Sequence, residues 1–232
     1  MIQAIFFDFN GVIIDDERLQ MAAYQDVLKP HGIELTEAGY FSALGMDDKT
    51  FVRSAFKGAK KELTESILQS VLESKSVIHR QMIENELPLF PGVVTFLKAC
   101  SRSYSLGLVS MASPSEIGYV LDRTRLRSLF SVTITAEDVN ECKPAPECYN
   151  GALHKLNEYR QECRQLPLLP AECLVIEDSP PSIQSGSAAG MHTLGVTNTV
   201  SEHELRAAGA EVVTHSLADW SVDAVRLVFS QS

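Results

Sequence analysis

Short apolar runs that stop abruptly at polar residues are the feature that most constrains this chain. Residues 2–7 (IQAIFF) end at Asp8, residues 106–109 (LGLV) at Ser110, and residues 173–176 (CLVI) at Glu177-Asp178. Residues 132–135 (VTIT) form a fourth run, and residues 192–196 and 211–213 form two weaker ones. Longer amphipathic stretches separate them. Runs of this length read as buried strands, and their alternation with helical patterns gives the βαβ rhythm of a parallel sheet covered on both faces. The expected fold is α/β: a Rossmann-like, doubly wound parallel sheet, with ligands at the carboxyl ends of the strands.

One block breaks the rhythm. Residues 17–87 contain no convincing strand and read as several amphipathic helices, with Thr36 and Thr64 as N-caps and Glu65 in the first turn after the latter. The strand pattern resumes after Leu87-Pro88-Leu89-Phe90-Pro91-Gly92, a Pro/Gly-bearing boundary. We therefore expect a core domain of residues 1–16 and 88–232 and an inserted α-helical cap domain of residues 17–87. A length of 232 residues suits one core with an insertion better than two full domains.

A net charge of -10 argues against a nucleic-acid or anionic-membrane surface. It leaves room for a phosphorylated ligand, because a metal ion and one lysine can invert the local field. Five cysteines without a CxxC pair fit reduced thiols rather than a disulfide framework or a zinc site. No apolar run approaches the ~20 residues of a membrane span, so the expected location is the cytoplasm. The sequence carries no signal for an oligomeric state.

Four segments can carry chemistry. Asp8 closes the first strand, where a carboxylate can attack a phosphoryl group, and Gly11 permits a tight loop around it; a simple strand-ending turn would read the same way. Ser110 precedes Ser113-Pro114-Ser115-Glu116, which has the capping-box form and so predicts a helix start able to hold an anion. Most such helix starts bind nothing. Lys143, stiffened by Pro144 and Pro146, can neutralise an attacking carboxylate and a phosphate oxygen, or be a surface lysine in a Pro-rich loop. Glu177-Asp178 follows a buried strand and precedes Ser179-Pro180-Pro181, a further cap-and-proline helix start. Paired carboxylates there are costly without a cation, and their hard oxygens suit Mg²⁺.

Together these segments resemble the haloacid dehalogenase superfamily, in the branch of phosphoglycolate phosphatase and beta-phosphoglucomutase. The resemblance spans nearly the whole chain. Its most specific pieces are Lys143-Pro144-Ala145-Pro146-Glu147-Cys148-Tyr149 and Ile176-Glu177-Asp178-Ser179-Pro180, followed by Ala188-Ala189-Gly190-Met191. Asp15-Asp16-Glu17 stands where members often carry Asp-Ser-Glu. The resemblance implies a Mg²⁺-dependent hydrolase acting on a small phosphorylated metabolite through an aspartyl phosphate. Asp8 would be nucleophile and metal ligand, with the residue 10 carbonyl and Asp178 completing the metal site and Glu177 supporting it. Ser110 and Lys143 would hold the phosphate. Gly11, Met111 and Ala112, with Lys49 and Arg53 in the cap, would contact the substrate.

The departures bear on activity. Phosphatases of this family carry a second Asp two residues after the nucleophile as general acid and base; here that position is Asn10, whose amide has no titratable proton near neutral pH. Ser182 replaces a usual Gly, and residues 157–169 form a longer segment than usual. Two readings follow: a working phosphatase with impaired acid–base help, or a protein that binds a phosphorylated ligand or partner without turnover. A dehalogenase or phosphonatase chemistry ranks behind both, because the dehalogenases lack the acidic metal pair and the phosphonatase needs a cap lysine. Lysines such as Lys75 on cap helices read by default as a solvated face.

Overall fold

A computed structural model describes residues 1–229; residues 230–232, the end of the expected core domain, lie outside the described residues. Six strands form one parallel sheet: β1 (Ala4–Phe7), β2 (Ser105–Val109), β3 (Val132–Ile134), β4 (Cys173–Glu177), β5 (His192–Val196) and β6 (Val212–Thr214). Their spatial order is β3-β2-β1-β4-β5-β6. The direction of winding reverses at β1, which puts the ligand crevice of an open sheet between the carboxyl ends of β1 and its neighbours. All four residues of β1 and all five of β4 are buried, as strands covered on both faces must be.

Four helices lie between β1 and β2: α1 (Glu17–Leu28), α2 (Glu37–Phe41), α3 (Asp48–Gly58) and α4 (Glu65–Ile83). Six more follow within the sheet's own rhythm: α5 (Val93–Cys100), α6 (Pro114–Thr124), α7 (Glu147–Glu162), α8 (Pro180–Ala188), α9 (Glu202–Ala207) and α10 (Val222–Phe229). Two apolar clusters flank the sheet, one around Phe7, Phe96 and Leu121 and one around Phe6, Tyr149 and Leu156. The inserted helices bury a separate cluster that includes Tyr24, Tyr40, Phe51, Phe56 and Leu68. Thr36 and Thr64 cap α2 and α4 as expected, accepting from Gly39 N at 3.1 Å and Ile67 N at 3.2 Å.

The chain enters and leaves the insertion side by side. Ile14 pairs antiparallel with Leu89, Asp15 N donates to Pro88 O at 2.6 Å, and Phe90 N donates to Ile13 O at 3.1 Å. Much of the 157–169 segment is simply the end of α7. Its return is pinned by Asn157, whose amide bonds both backbone groups of Leu168, at 2.7 Å and 3.0 Å.

Candidate active site

The register of the sheet brings three acidic groups to one point. Phe7 pairs with Ile176, and Asp8 N donates to Ile176 O at 3.1 Å, so Asp8 and Glu177-Asp178 leave adjacent strands together. Ligand oxygens of Asp8, Glu177 and Asp178 lie within 4.8 Å of one another, and all three residues are buried. Lys143, only 4% exposed, reaches in from the loop before α7. Its Nζ sits 2.6 Å from Glu177 Oε1 and 3.3 Å from Asp8 Oδ2. The Tyr149 hydroxyl, from the same motif, donates to Glu177 Oε1, and Thr199 Oγ1 donates to Asp178 Oδ2.

The charges do not balance within the protein. Burial alone would lower Lys143, but the carboxylates of Asp8 and Glu177 outweigh it and hold the ammonium above its ordinary value. Burial, then the Asp8 carboxylate, pushes Asp178 up to about 7, so this acid resists ionising with Lys143 as the one cation acting on it among the described residues. Glu177 Oε2 is buried without a hydrogen-bond partner. An orphaned hard oxygen beside two further carboxylates is the donor set of a divalent cation such as Mg²⁺, and the residues fit that ion.

Gly11 serves this cluster sterically. Its φ of +73° is left-handed, and a Cβ there would overlap the Asp178 carboxylate and come within 2.8 Å of Thr199 Oγ1. Gly11→Ala is therefore expected to lower the melting temperature by roughly 2–8 °C from the backbone penalty alone and to weaken metal binding by displacing Asp178. A thermal melt followed by circular dichroism, paired with a Mg²⁺ titration, checks both.

Ser110, at the end of β2, is buried, and its Oγ accepts from Ala112 N at 3.0 Å, which leaves the hydroxyl proton available to an anion. Ser110, Met111 and Ala112 line the same cavity as Asp8, Asn10, Lys143 and Asp178. The helix expected after Ser113 is present: Ser113 Oγ accepts from Glu116 N at 3.3 Å, with Pro114 in the first turn. The reciprocal half of that capping box is missing, because the Glu116 side chain turns inward to Lys75. Ser179 differs as well. It precedes α8 but makes no side-chain cap and donates instead to Ser182 Oγ at 2.8 Å, so the hydroxyl at the position of the usual Gly is used.

Asn10 lines the cavity, and its amide points to a carboxylate. Asn10 Nδ2 donates to both oxygens of Asp16 at 3.0 Å. Asp16 has no exposed surface and is further held by Gln20 Nε2 at 3.0 Å, with His79 Nε2 2.9 Å away. The acidic group absent from position 10 thus stands at position 16, where an amide is what can bond it.

Lys49 and Arg53 are not brought to the site. Lys49 is exposed and outside the cavity, and Arg53 is exposed and paired with Glu65 at 3.6 Å. Helix α3 buries Phe51, Val52 and Phe56, while positions 49 and 53, at the border of that stripe, stay exposed to solvent. The inserted helices line the cavity with Glu17, Gln20, Tyr24, Tyr40, Asp48 and Lys75, and α6 adds Glu116. Burial, then the carboxylates of Asp178, Asp16 and Asp8, pushes Glu17 up to about 8. Sequence reasoning missed this set; only Asp16 and Glu17 carried a signal, in the motif that differs from Asp-Ser-Glu.

Comparison with known proteins decides the family. The model of haloacid dehalogenase-like hydrolases matches residues 5–196. The chain belongs to the haloacid dehalogenase-like hydrolases. Among haloacid dehalogenase-like relatives, the phosphorylated carbohydrates phosphatase of Thermotoga maritima is 26% identical over 87% of this chain and 88% of its own length. Hexitol phosphatase B of Escherichia coli is 26% identical over 94% of each chain. The crystal structure of beta-phosphoglucomutase from Clostridium difficile shares the fold, with a TM-score of 0.85 at 22% identity over 99% of this chain and 98% of that one. The resemblance read from the motifs therefore holds for family and fold alike.

Proposed function

We propose that this protein is a Mg²⁺-dependent phosphatase-type protein that acts on a small phosphorylated carbohydrate through an aspartyl phosphate on Asp8. The observation that carries the reading is the convergence of three buried carboxylates on one buried ammonium, Lys143, beside Ser110. The carbohydrate phosphatases among its relatives support the substrate class. The reading divides the chain into a core of residues 1–16 and 88–232 and a helical cap of residues 17–87, consistent with the cap's own apolar cluster. Five free cysteines support a reducing compartment such as the cytoplasm, and among the described residues no helix is long and apolar enough to cross a membrane.

Asp8, the residue 10 carbonyl and Asp178 would hold Mg²⁺, with Glu177 behind them; the bound ion would offset the charge of the phosphate and the carboxylates. Ser110 and Lys143 bind and orient the phosphoryl group. Asp8 Oδ attacks phosphorus while the bond to the leaving oxygen breaks, and water then hydrolyses the aspartyl phosphate. The leaving oxygen must acquire a proton, which comes from solvent water because the Asn10 amide has none to give. Turnover is therefore slow for alkoxide leaving groups. A second reading, a binder of phosphorylated ligands with no useful turnover, draws on the same observation, since the Asn10 amide is committed to Asp16.

Titration calorimetry tests the metal site. The parent is expected to bind Mg²⁺, and Asp178→Ala to lose binding while remaining folded; a variant that binds as tightly as the parent overturns the site. Because the Asp178 carboxyl keeps its proton up to about pH 7, the ion must displace that proton in more acidic solution. Affinity should fall by about tenfold per pH unit below that point and level off above it. A screen of carbohydrate phosphates with and without Mg²⁺ separates the two functional readings by phosphate release.

A further inference from the structure

A turn after β5 reaches both arms of the acidic cluster. Asn198 Nδ2 donates to Gly11 O at 2.7 Å, which ties the turn to the loop that follows Asp8. Thr199 Oγ1 donates to Asp178 Oδ2, which ties it to the end of β4. The turn is anchored on the neighbouring strand, where Thr197 N donates to Thr214 O at 3.0 Å. Asn198 and Thr199 lie beyond residue 196, where the family match ends, and outside the four segments that the sequence singles out.

These contacts sort the oxygens of Asp178. Oδ2 holds the Thr199 hydroxyl and lies so close to the Gly11 backbone that a Cβ there would overlap it. That leaves Oδ1 to meet an ion. Asp8 is divided in the same way, because its Oδ2 faces Lys143 Nζ at 3.3 Å. Each carboxylate thus has one oxygen committed and can offer the other. Mg²⁺ accepts single carboxylate oxygens, in a near-octahedral shell completed by waters. Ca²⁺ is larger, gathers more oxygens and readily takes both from one carboxylate.

We propose that Thr199 selects Mg²⁺ over Ca²⁺ by holding Asp178 to one coordinating oxygen, an inference that rests on the metal site proposed above. Thr199 is a positioning residue, acting through the carboxylate. Without its hydroxyl, Asp178 can turn and give a larger ion both oxygens.

Titration calorimetry with Mg²⁺ and with Ca²⁺, at about pH 8 so that Asp178 has lost its proton, provides the test. The parent is expected to bind Mg²⁺ more tightly than Ca²⁺. Thr199→Val keeps the side-chain shape and removes the donor. It should narrow the ratio of the two affinities by about tenfold, the lower end of what a hydrogen bond to a charged group is worth. Thr199→Ser keeps the donor and should keep the parent's preference. A role in folding alone would show in the thermal melt and weaken both ions together, leaving the ratio unchanged. Thr199→Ala gives the same readout if the valine variant fails to fold. Equal affinity of the parent for the two ions, or a ratio that the loss of the hydroxyl does not move, overturns the proposal while leaving the metal site standing. If the parent binds neither ion, the metal site falls and the proposal falls with it.

Discussion

The double variant Asn10→Asp/Asp16→Ser is expected to hydrolyse an alkyl phosphate ~10²–10⁴-fold faster than the parent, the usual worth of a general acid and base. Asn10→Asp alone should gain much less. Asn10 Nδ2 lies 3.0 Å from both oxygens of Asp16, so a carboxylate at position 10 would face a second one at that distance. Such a pair shares one proton between its members instead of offering it to the leaving oxygen. Removing the Asp16 charge frees the new acid. An aryl phosphate, whose leaving group needs little protonation, should respond weakly, and that contrast identifies the missing proton donor. Asn-Gly bonds are prone to deamidation, which would give some of the parent a carboxylate at position 10. Here Gly11 N, the attacking group in that reaction, is bonded to Ile14 O at 2.9 Å. Intact mass and peptide mapping measure the converted fraction. A folded, Mg²⁺-binding double variant with no gain on either substrate would shift the function to ligand binding.

Lys143→Met should cost about 3–5 kcal/mol of stability near neutral pH, because it strands buried carboxylates that now share one ammonium. Burial and the neighbouring Asp8 carboxylate already hold Glu177 and Asp178 above their ordinary values, and without the ammonium they rise further, so the folded state holds more protons than the unfolded one. Its stability then falls as pH rises from about 4 through the raised folded values. The deficit should be largest above neutrality, smaller near pH 5, and reduced again by added Mg²⁺, which replaces the lost charge. Urea melts at both pH values with and without Mg²⁺ measure it. Parent-like stability in alkaline, metal-free solution would mean that Lys143 does not balance the cluster.

Local pattern carried the fold and half of the site. All six strands were legible as apolar runs because a parallel strand buried on both faces needs continuous apolar sequence, and Asp8, Ser110 and Asp178 sit at the ends of such strands. The contacts made by the inserted helices were not legible. Lys49 and Arg53 follow the Leu44-Gly45-Met46 turn in sequence, yet both stay exposed, and Arg53 pairs with Glu65, which helical period does not reveal. Lys75 read as a solvated lysine and Glu116 as half of a capping box; their 2.9 Å pairing joins residues 41 apart in sequence, which no helical period reveals. Asp16 was visible as a departure from Asp-Ser-Glu, but its meaning depends on the Asn10 amide pointing at it.

The two crossings between core and inserted helices meet at the Ile14–Leu89 pairing. Since the excursion starts and finishes at neighbouring points, the sheet sees only a fixed pair of chain ends, whatever lies between them. Closing that gap costs the core only about 2–3 kcal/mol more for about seventy residues than for a short turn, because the penalty grows with the logarithm of length. The helices from Glu17 to Ile83 can therefore be exchanged or remodelled without disturbing strand order. The side-chain ties that a graft must rebuild include Lys75 to Glu116, Cys142 to Asp47 and Arg123 to the Ile83 carbonyl.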